Sequence, residues 1–266
     1  MSSGYAYLIE HINLGSNCFL TAYFGLLLAA HLFLLSYTHL VHFGYAWCLA
    51  MAGEIVGYIG RIMISKSSNK TTAIIMDSVG LNAGASLMIA GLYVAAARVL
   101  KQRATNIGRT SPGLLRVVLG INIASIALYS AGVAIEPNGG SHYQTGKDLA
   151  IAGTVIQLAL LIAFSANWLF SWRSNHRDFC PAGQTLYYNS FPAAITLGMV
   201  LMVVRCCYRV ALQAEGSTGK LFTHPIYVGI LDSLMAAITA LIMTVFHPGL
   251  VERYGVKRMS PEESYY

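Results

Sequence analysis

Seven stretches of about 20 mostly apolar residues recur along the 266-residue chain, each long enough to cross a hydrocarbon core about 30 Å thick. They lie near residues 18–37, 43–64, 74–99, 114–135, 149–170, 188–212 and 226–246. Each predicts a membrane-spanning helix, because a helix satisfies its own backbone polar groups where no water is present. Isolated breakers such as Pro192 fit that reading, since neighbouring helices re-satisfy the freed groups. The connections are short, running from residues 39–42 at one extreme to the Gly-rich 136–147 at the other. The pattern predicts an all-α integral membrane protein. A single seven-helix bundle occupies residues 1–266, with a short segment 1–17 ahead of it and a short tail 250–266 behind.

Composition narrows the class. Charged residues make up 11% of the chain and apolar ones 56%, where a soluble domain carries about 25% charged. A soluble core would leave large apolar patches in water, so lipid is the expected solvent. Disordered, collagen-like and disulfide-stapled classes are excluded by scarce Pro, 11% aromatics and five Cys, an odd number. Cys18, Cys48, Cys206 and Cys207 sit in or beside apolar runs and Cys180 in a polar loop, which predicts free thiols. The first seventeen residues hold no Lys or Arg, so they lack the basic region of a cleaved signal peptide and insertion is expected through the first helix.

The net charge of +6 does not point to nucleic acid, because the seventeen basic residues are dispersed at the ends of apolar runs. They set orientation instead. With the N-terminus outside, the cytoplasmic side holds ten of them, including Arg98, Lys101, Arg116, Arg173 and Arg253. Of the seven others, Arg61, Arg205 and Arg209 fall within helices. The bias predicts N-outside and C-inside. The sequon Asn69-Lys70-Thr71 falls in a loop that this places outside; so close to two helix ends, it is expected to stay unmodified.

A charge at bilayer depth costs about 2.5 to 3.5 kcal/mol on insertion scales, so each needs a partner or a wet cavity. In the second run Glu54 and Arg61 are seven residues apart and share a helix face. Gly53, Gly57 and Gly60 on the same helix allow a neighbour close approach. Arg61 either snorkels to the interface or joins a buried site. Glu54, mid-run and short, needs a buried partner. Arg205 and Arg209, one turn apart in the sixth run, share a face and need anions, for which Glu54, Asp77 and Asp232 are the candidates. Two readings stand: an ion-pair network that fixes helix order, or bidentate donors holding the polar head of an amphiphile.

Other polar positions say less. Asn122, Ser125, Tyr129 and Gly132 form a polar stripe in the fourth run, as do Gly153 and Gln157 in the fifth; interhelical hydrogen bonds and a polar groove are the two readings. His31, His224 and His247 raise a metal or haem site, but no H-E-x-x-H, no Cys-x-x-Cys and no i, i+4 pair of His accompanies them, so no metal and no cofactor is expected. Cys180-Pro181 as a haem ligand is equally unsupported. His247-Pro248-Gly249 reads as a helix stop. Ser260-Pro261-Glu262-Glu263 closes a solvated tail.

The run Glu54-Ile55-Val56-Gly57-Tyr58-Ile59-Gly60-Arg61 resembles the second-helix signature of the fungal lipid-translocating exporter, or RTA-like, family of seven-helix membrane proteins. Gly153 with Gln157, Arg205 with Tyr208-Arg209, Gly216 with Gly219, Asp232 and the closing His247-Pro248-Gly249 extend the resemblance to the end of the chain. Asn122 and Tyr129 stand where that family usually has Asp and Gln, Leu212 where it has an acid, Pro225 where Glu follows His, and Gly229 where it has Tyr. The chain therefore resembles a divergent member that has lost acidic partners near Arg205 and Arg209, a gap that an anionic substrate could fill.

The resemblance implies a multi-pass plasma-membrane protein that exports amphiphiles such as sphingoid bases or confers resistance to toxic ones. Its partners would be membrane lipids or amphiphilic small molecules. Without G-x-x-x-x-G-K-[ST] in the chain, movement would be passive or ion-coupled, with Glu54 as the candidate proton-linked carboxylate. Arg61, Asp77, Gln157, Arg205, Arg209 and Asp232 complete the candidate binding or coupling set; no catalytic residue is expected. A seven-helix lipid receptor or stress sensor is the main alternative. A zinc-dependent lipid hydrolase is a third, for which His31, Asp77 and Asp232 are too scattered.

Overall fold

The computed structural model describes residues 13–66, 70–103, 112–136, 141–174, 185–215, 221 and 224–255. Among them all regular structure is helical, and seven helices are long and apolar enough to cross a membrane. They are α1 (Leu14–Thr38), α2 (Val41–Lys66), α3 (Lys70–Arg103), α4 (Pro112–Ile135), α5 (Ser141–Ser174), α6 (Leu186–Glu215) and α7. The last is composite: a turn at Pro225–Tyr227, a π-helical stretch at Val228–Leu234 and an α-helical stretch at Met235–Val245. A further short helix, α8 (Pro248–Gly255), follows.

Local chemistry sets the ends. Asn13 caps α1 by accepting from Ser16 N–H at 3.2 Å. At the other end His39 turns into the left-handed region at φ 54°, and its N–H closes on Leu35 O at 3.0 Å. Only His39 and Leu40 separate α1 from α2, so the two helices are antiparallel neighbours. Pro192 costs α6 one backbone bond near its start, and Thr196 Oγ1 donates to the Pro192 carbonyl at 2.9 Å.

The central element is α3. Of its most apolar window 78% is buried against other helices, against 22–50% for the remaining spans. It packs on α2, α4, α5 and α6. Trp47, Met51, Tyr58, Leu81, Met88, Leu92, Tyr93, Trp168 and Ile195 fill the interior around it. Phe19, Leu26, Phe33, Phe170 and Leu186 point outward, as side chains solvated by lipid must.

The helices overrun the apolar runs. Both α3 and α5 have 34 residues, about 51 Å at 1.5 Å per residue, well beyond the hydrocarbon core. Polar flanks end an apolar run without ending a helix. The expected connection over 136–147 is correspondingly shorter, since α5 already begins at Ser141. His247-Pro248-Gly249 does end α7, but Pro248 then takes the first position of α8, where its missing N–H costs nothing. A Cβ on Gly249 would lie 2.5 Å from Thr38 Cβ, so only Gly lets α8 meet the end of α1. Asn69, Cys180, Gly216, Gly219 and the tail serine lie outside the described residues.

Candidate functional site

Small residues bring α2 against α3. A Cβ on Gly53 would stand 2.9 Å from Gly84 Cα, one on Gly60 2.5 Å from Asp77 N, and one on Gly80 2.6 Å from Gly57 N. Gly53 thus lies against Gly84, Gly57 against Gly80 and Gly60 against Met76 and Asp77 of α3. Leu81 and Met76 complete the α3 side of this contact, against Gly57 and Gly60.

Glu54 is fully buried, and Arg205 Nη1 donates to its Oε1 at 2.9 Å. The same guanidinium donates through Nε to Asp232 Oδ1 at 2.7 Å and through Nη2 to Leu81 O at 3.1 Å. Arg209, one turn along α6, donates to both oxygens of Asp232, at 2.9 Å from Nε and 2.6 Å from Nη2. Four of the candidates, on α2, α6 and α7, thus form one chain of contacts: Glu54, Arg205, Asp232, Arg209. Its two positive and two negative groups cancel. Such geometry is what lets buried charges persist, since each desolvated ion has a partner of opposite sign.

The backbone beneath Asp232 is unusual. A π-helical turn accommodates an extra residue, and such turns are frequent at functional sites. Here the stretch Val228–Leu234 buries two consecutive residues, Asp232 and Ser233, while Ile230 and Leu234 face outward.

Arg61 does not snorkel to the interface. Its side chain is 13% exposed, and its Nε donates to Asp77 Oδ1 at 3.0 Å. Asp77, a candidate partner for Arg205 and Arg209, instead serves Arg61. The shortage of anions expected beside Arg205 and Arg209 is also absent, because Glu54 and Asp232 balance them. Glu54 Oε2 is buried and accepts no hydrogen bond, the one open valence on the carboxylates of this chain of contacts.

Gln157 lies apart, in a second polar cluster. Its Nε2 donates to Ser86 Oγ, Asn122 Nδ2 donates to Ser86 O at 3.0 Å, and Ser125 Oγ donates to Asn122 O at 2.7 Å. With Gly153 seated against Ser125 O and Tyr129 N, and Gly132 against Gly146 O and Ala150 N, the polar stripe of α4 is a helix-packing seam, not a groove. Ser86 ties the cluster together and has no local signal in the sequence beyond its place in an apolar run.

A third cluster joins His31, Trp47, Thr244 and His247. His31 stacks on Trp47 with ring centroids 5.4 Å apart and lies 6.1 Å from His247. The Thr244 hydroxyl donates to Ala240 O at 2.8 Å, so at 3.0 Å it accepts from His31 Nε2. Gly249 N–H donates to His247 Nδ1 at 3.2 Å. Two histidines 216 positions apart in the sequence thus meet, but no cluster of three or more metal-ligating side chains exists among the described residues. Near them Arg98 donates to both oxygens of Glu252, at 2.6 and 2.8 Å. His224 is exposed.

Residues 47–254 match the sequence profile of a family described as RTA1 like protein, a span that includes every member of the charged chain of contacts. The chain belongs to the RTA1-like family. Among its relatives is the sphingoid long-chain base transporter RSB1 of Saccharomyces cerevisiae, 25% identical over 275 residues that cover 89% of this chain and 72% of that protein. The protoporphyrin uptake protein 1 of the same yeast is 26% identical over 72% of this chain and 64% of its own length. Protein RTM1, also from Saccharomyces cerevisiae, is 26% identical over 72% of this chain and 63% of its own. No solved structure matches. Membership in the RTA1-like family and the seven spans make this a multi-pass membrane protein of a transporter-like family.

Proposed function

We propose that this protein moves amphiphilic lipids of the sphingoid-base type across the plasma membrane, passively or coupled to an ion, as one membrane domain with its N-terminus outside and its C-terminus in the cytoplasm. The observation that carries the reading is the buried, unoccupied oxygen of Glu54 beside a chain of charges that is already neutral. The bonds from Arg205 and Arg209 end on Asp232, Glu54 and Leu81 O. Glu54 Oε2 can accept a hydrogen bond, and a headgroup bearing N–H or O–H donors supplies one. An ammonium-bearing amphiphile fits this better than the anionic substrate the sequence suggests. The names of its relatives as transporter and uptake proteins support transport over enzymatic turnover.

The test is transbilayer movement of a fluorescent sphingoid base and a fluorescent phospholipid in liposomes containing the purified protein. Glu54→Gln keeps an acceptor for Arg205 while removing the charge, and its elution profile and unfolding temperature are read beside movement, so that a folding loss is told apart from a functional one. Faster movement of the base, lost in Glu54→Gln, supports the proposal. Saturable binding without movement would favour the receptor or sensor reading instead.

A further inference from the structure

The end of the bundle where α1 gives way to α2 and α7 to α8 is strongly basic. Among the described residues it carries Arg98, Lys101, Arg103, Arg116, Arg173 and Arg253 against the single acid Glu252. The opposite end balances Lys66, Lys70 and Lys147 with Glu136, Asp148 and Glu215. A cleft of about 410 Å³ opens at the basic end, lined by Tyr37, His39, Arg98, Gly249, Glu252 and Arg253 among others.

Charges inside this cleft are unevenly matched. Both oxygens of Glu252 are taken by Arg98, and Gln102 Nε2 adds a bond at 2.9 Å, so the acid is already neutralised. Arg253 is exposed and rests over the Tyr37 ring, 4.5 Å from its centroid. Among the described residues no carboxylate lies within ion-pair distance of it. The cleft thus keeps one uncompensated guanidinium, with the exposed imidazole of His39 on its rim.

Its surroundings are those of a membrane interface. Tyr37 and Tyr254 share a hydrogen bond of 2.6 Å between their hydroxyls, the amphipathic aromatic pairing expected at headgroup level. One turn along α1, Phe33 is 67% exposed and stacks on Tyr37 at 6.0 Å, continuing the cleft onto a lipid-facing apolar surface. A basic end faces the cytoplasm by the positive-inside rule, and that leaflet holds the acidic lipids.

We propose that this cleft binds the phosphate headgroup of an acidic phospholipid of the cytoplasmic leaflet, held by Arg253 with its acyl chains along Phe33. The site lies at the end of α1 and is separate from the Glu54 to Arg209 chain of contacts, so it stands whether or not the protein transports amphiphiles.

The experiment is native mass spectrometry of the full-length protein taken from nanodiscs of phosphatidylcholine mixed with phosphatidylserine, alongside its thermal unfolding in each lipid. The protein should retain phosphatidylserine over phosphatidylcholine. Arg253→Gln should lower that retention about tenfold or more, the loss of a charge-assisted hydrogen bond to the phosphate, and Arg253→Lys should restore most of it. Arg116→Gln removes an equal charge at the same end outside the cleft and should change little. Equal losses in Arg116→Gln and Arg253→Gln would reduce the effect to general surface attraction and overturn the proposal, as would equal retention of both lipids. Stabilisation by inorganic phosphate alone, to the same degree in lipid-free micelles, would mark a site for free anions and overturn the lipid assignment. A matching elution profile for Arg253→Gln establishes that the exposed position leaves the fold intact.

Discussion

Asp232 holds Arg209 with both of its oxygens, at 2.9 and 2.6 Å, while also accepting from Arg205 at 2.7 Å. One carboxylate on α7 therefore neutralises two cations on α6, and Glu54 on α2 shares only Arg205 with it. The order of dependence follows: Asp232 is the group whose loss strands most charge.

Asp232→Asn should destabilise the folded protein by about 3–5 kcal/mol, the cost of leaving a buried charge without its partner. Arg209→Gln should cost less, because its side chain is 10% exposed where that of Asp232 is 2% exposed. The double variant should cost well under the sum of the two, since its members are in contact. Unfolding titrations in mixed detergent micelles give all three values, and strict additivity would show that the pair does not couple.

Backbone contact between α2 and α3 predicts a contrast among glycines. Gly80→Ala should destabilise by about 1–3 kcal/mol, as overpacking does, because its new methyl group meets Gly57 N and Cα at 2.6 and 2.7 Å. Gly120→Ala has nothing within 4 Å and should be neutral or gain up to about 1 kcal/mol in helix stability. The same unfolding titration reads both.

Gln157 should prove to be a packing residue. Gln157→Leu removes its bond to Ser86, and interhelical hydrogen bonds in membranes average about 0.6 kcal/mol. The expected outcome is a small loss of stability with amphiphile movement at the level of the unaltered protein. Movement abolished in a stable Gln157→Leu variant would place the polar cluster of α3, α4 and α5 in the transport path.

Metal removal should leave the protein unchanged. His31 and His247 gather no third His, Cys, Asp or Glu among the described residues, fewer protein ligands than a zinc site uses. Prolonged dialysis against a strong chelator should shift neither the unfolding temperature nor transport. A drop in either, reversed by one added metal, would reopen the histidine cluster as a metal centre.

What the sequence discloses here follows from distance along the chain. The seven spans are legible because apolar length is a local property, and the need of Glu54, Arg205 and Asp232 for partners is legible because a charge inside an apolar run is costly wherever the run goes. Which charge meets which is not local: Asp77 pairs with Arg61 and leaves Arg205 to Glu54, a choice set by the register of α2 on α3. His31 and His247, or Arg98 and Glu252, leave no trace in spacing at all, since 216 and 154 positions separate them. The extra turns of α3 and α5 escape for a different reason, as hydropathy measures the width of the membrane and not the length of a helix.

Glycine contacts also fix which seams of the bundle can open. Where backbones touch, as between α2 and α3 and again between α4 and α5, no side-chain layer is available to slide, so each of these pairs must travel as a single rod. The boundary of α6 and α7 with the α2–α3 pair is different: it is bridged by the long side chain of Arg205, which reaches Glu54 on α2, Leu81 O on α3 and Asp232 on α7, while the bonds of Arg209 go to Asp232. Parting the bundle there would break charge contacts, whereas parting either fused pair would separate backbones that touch.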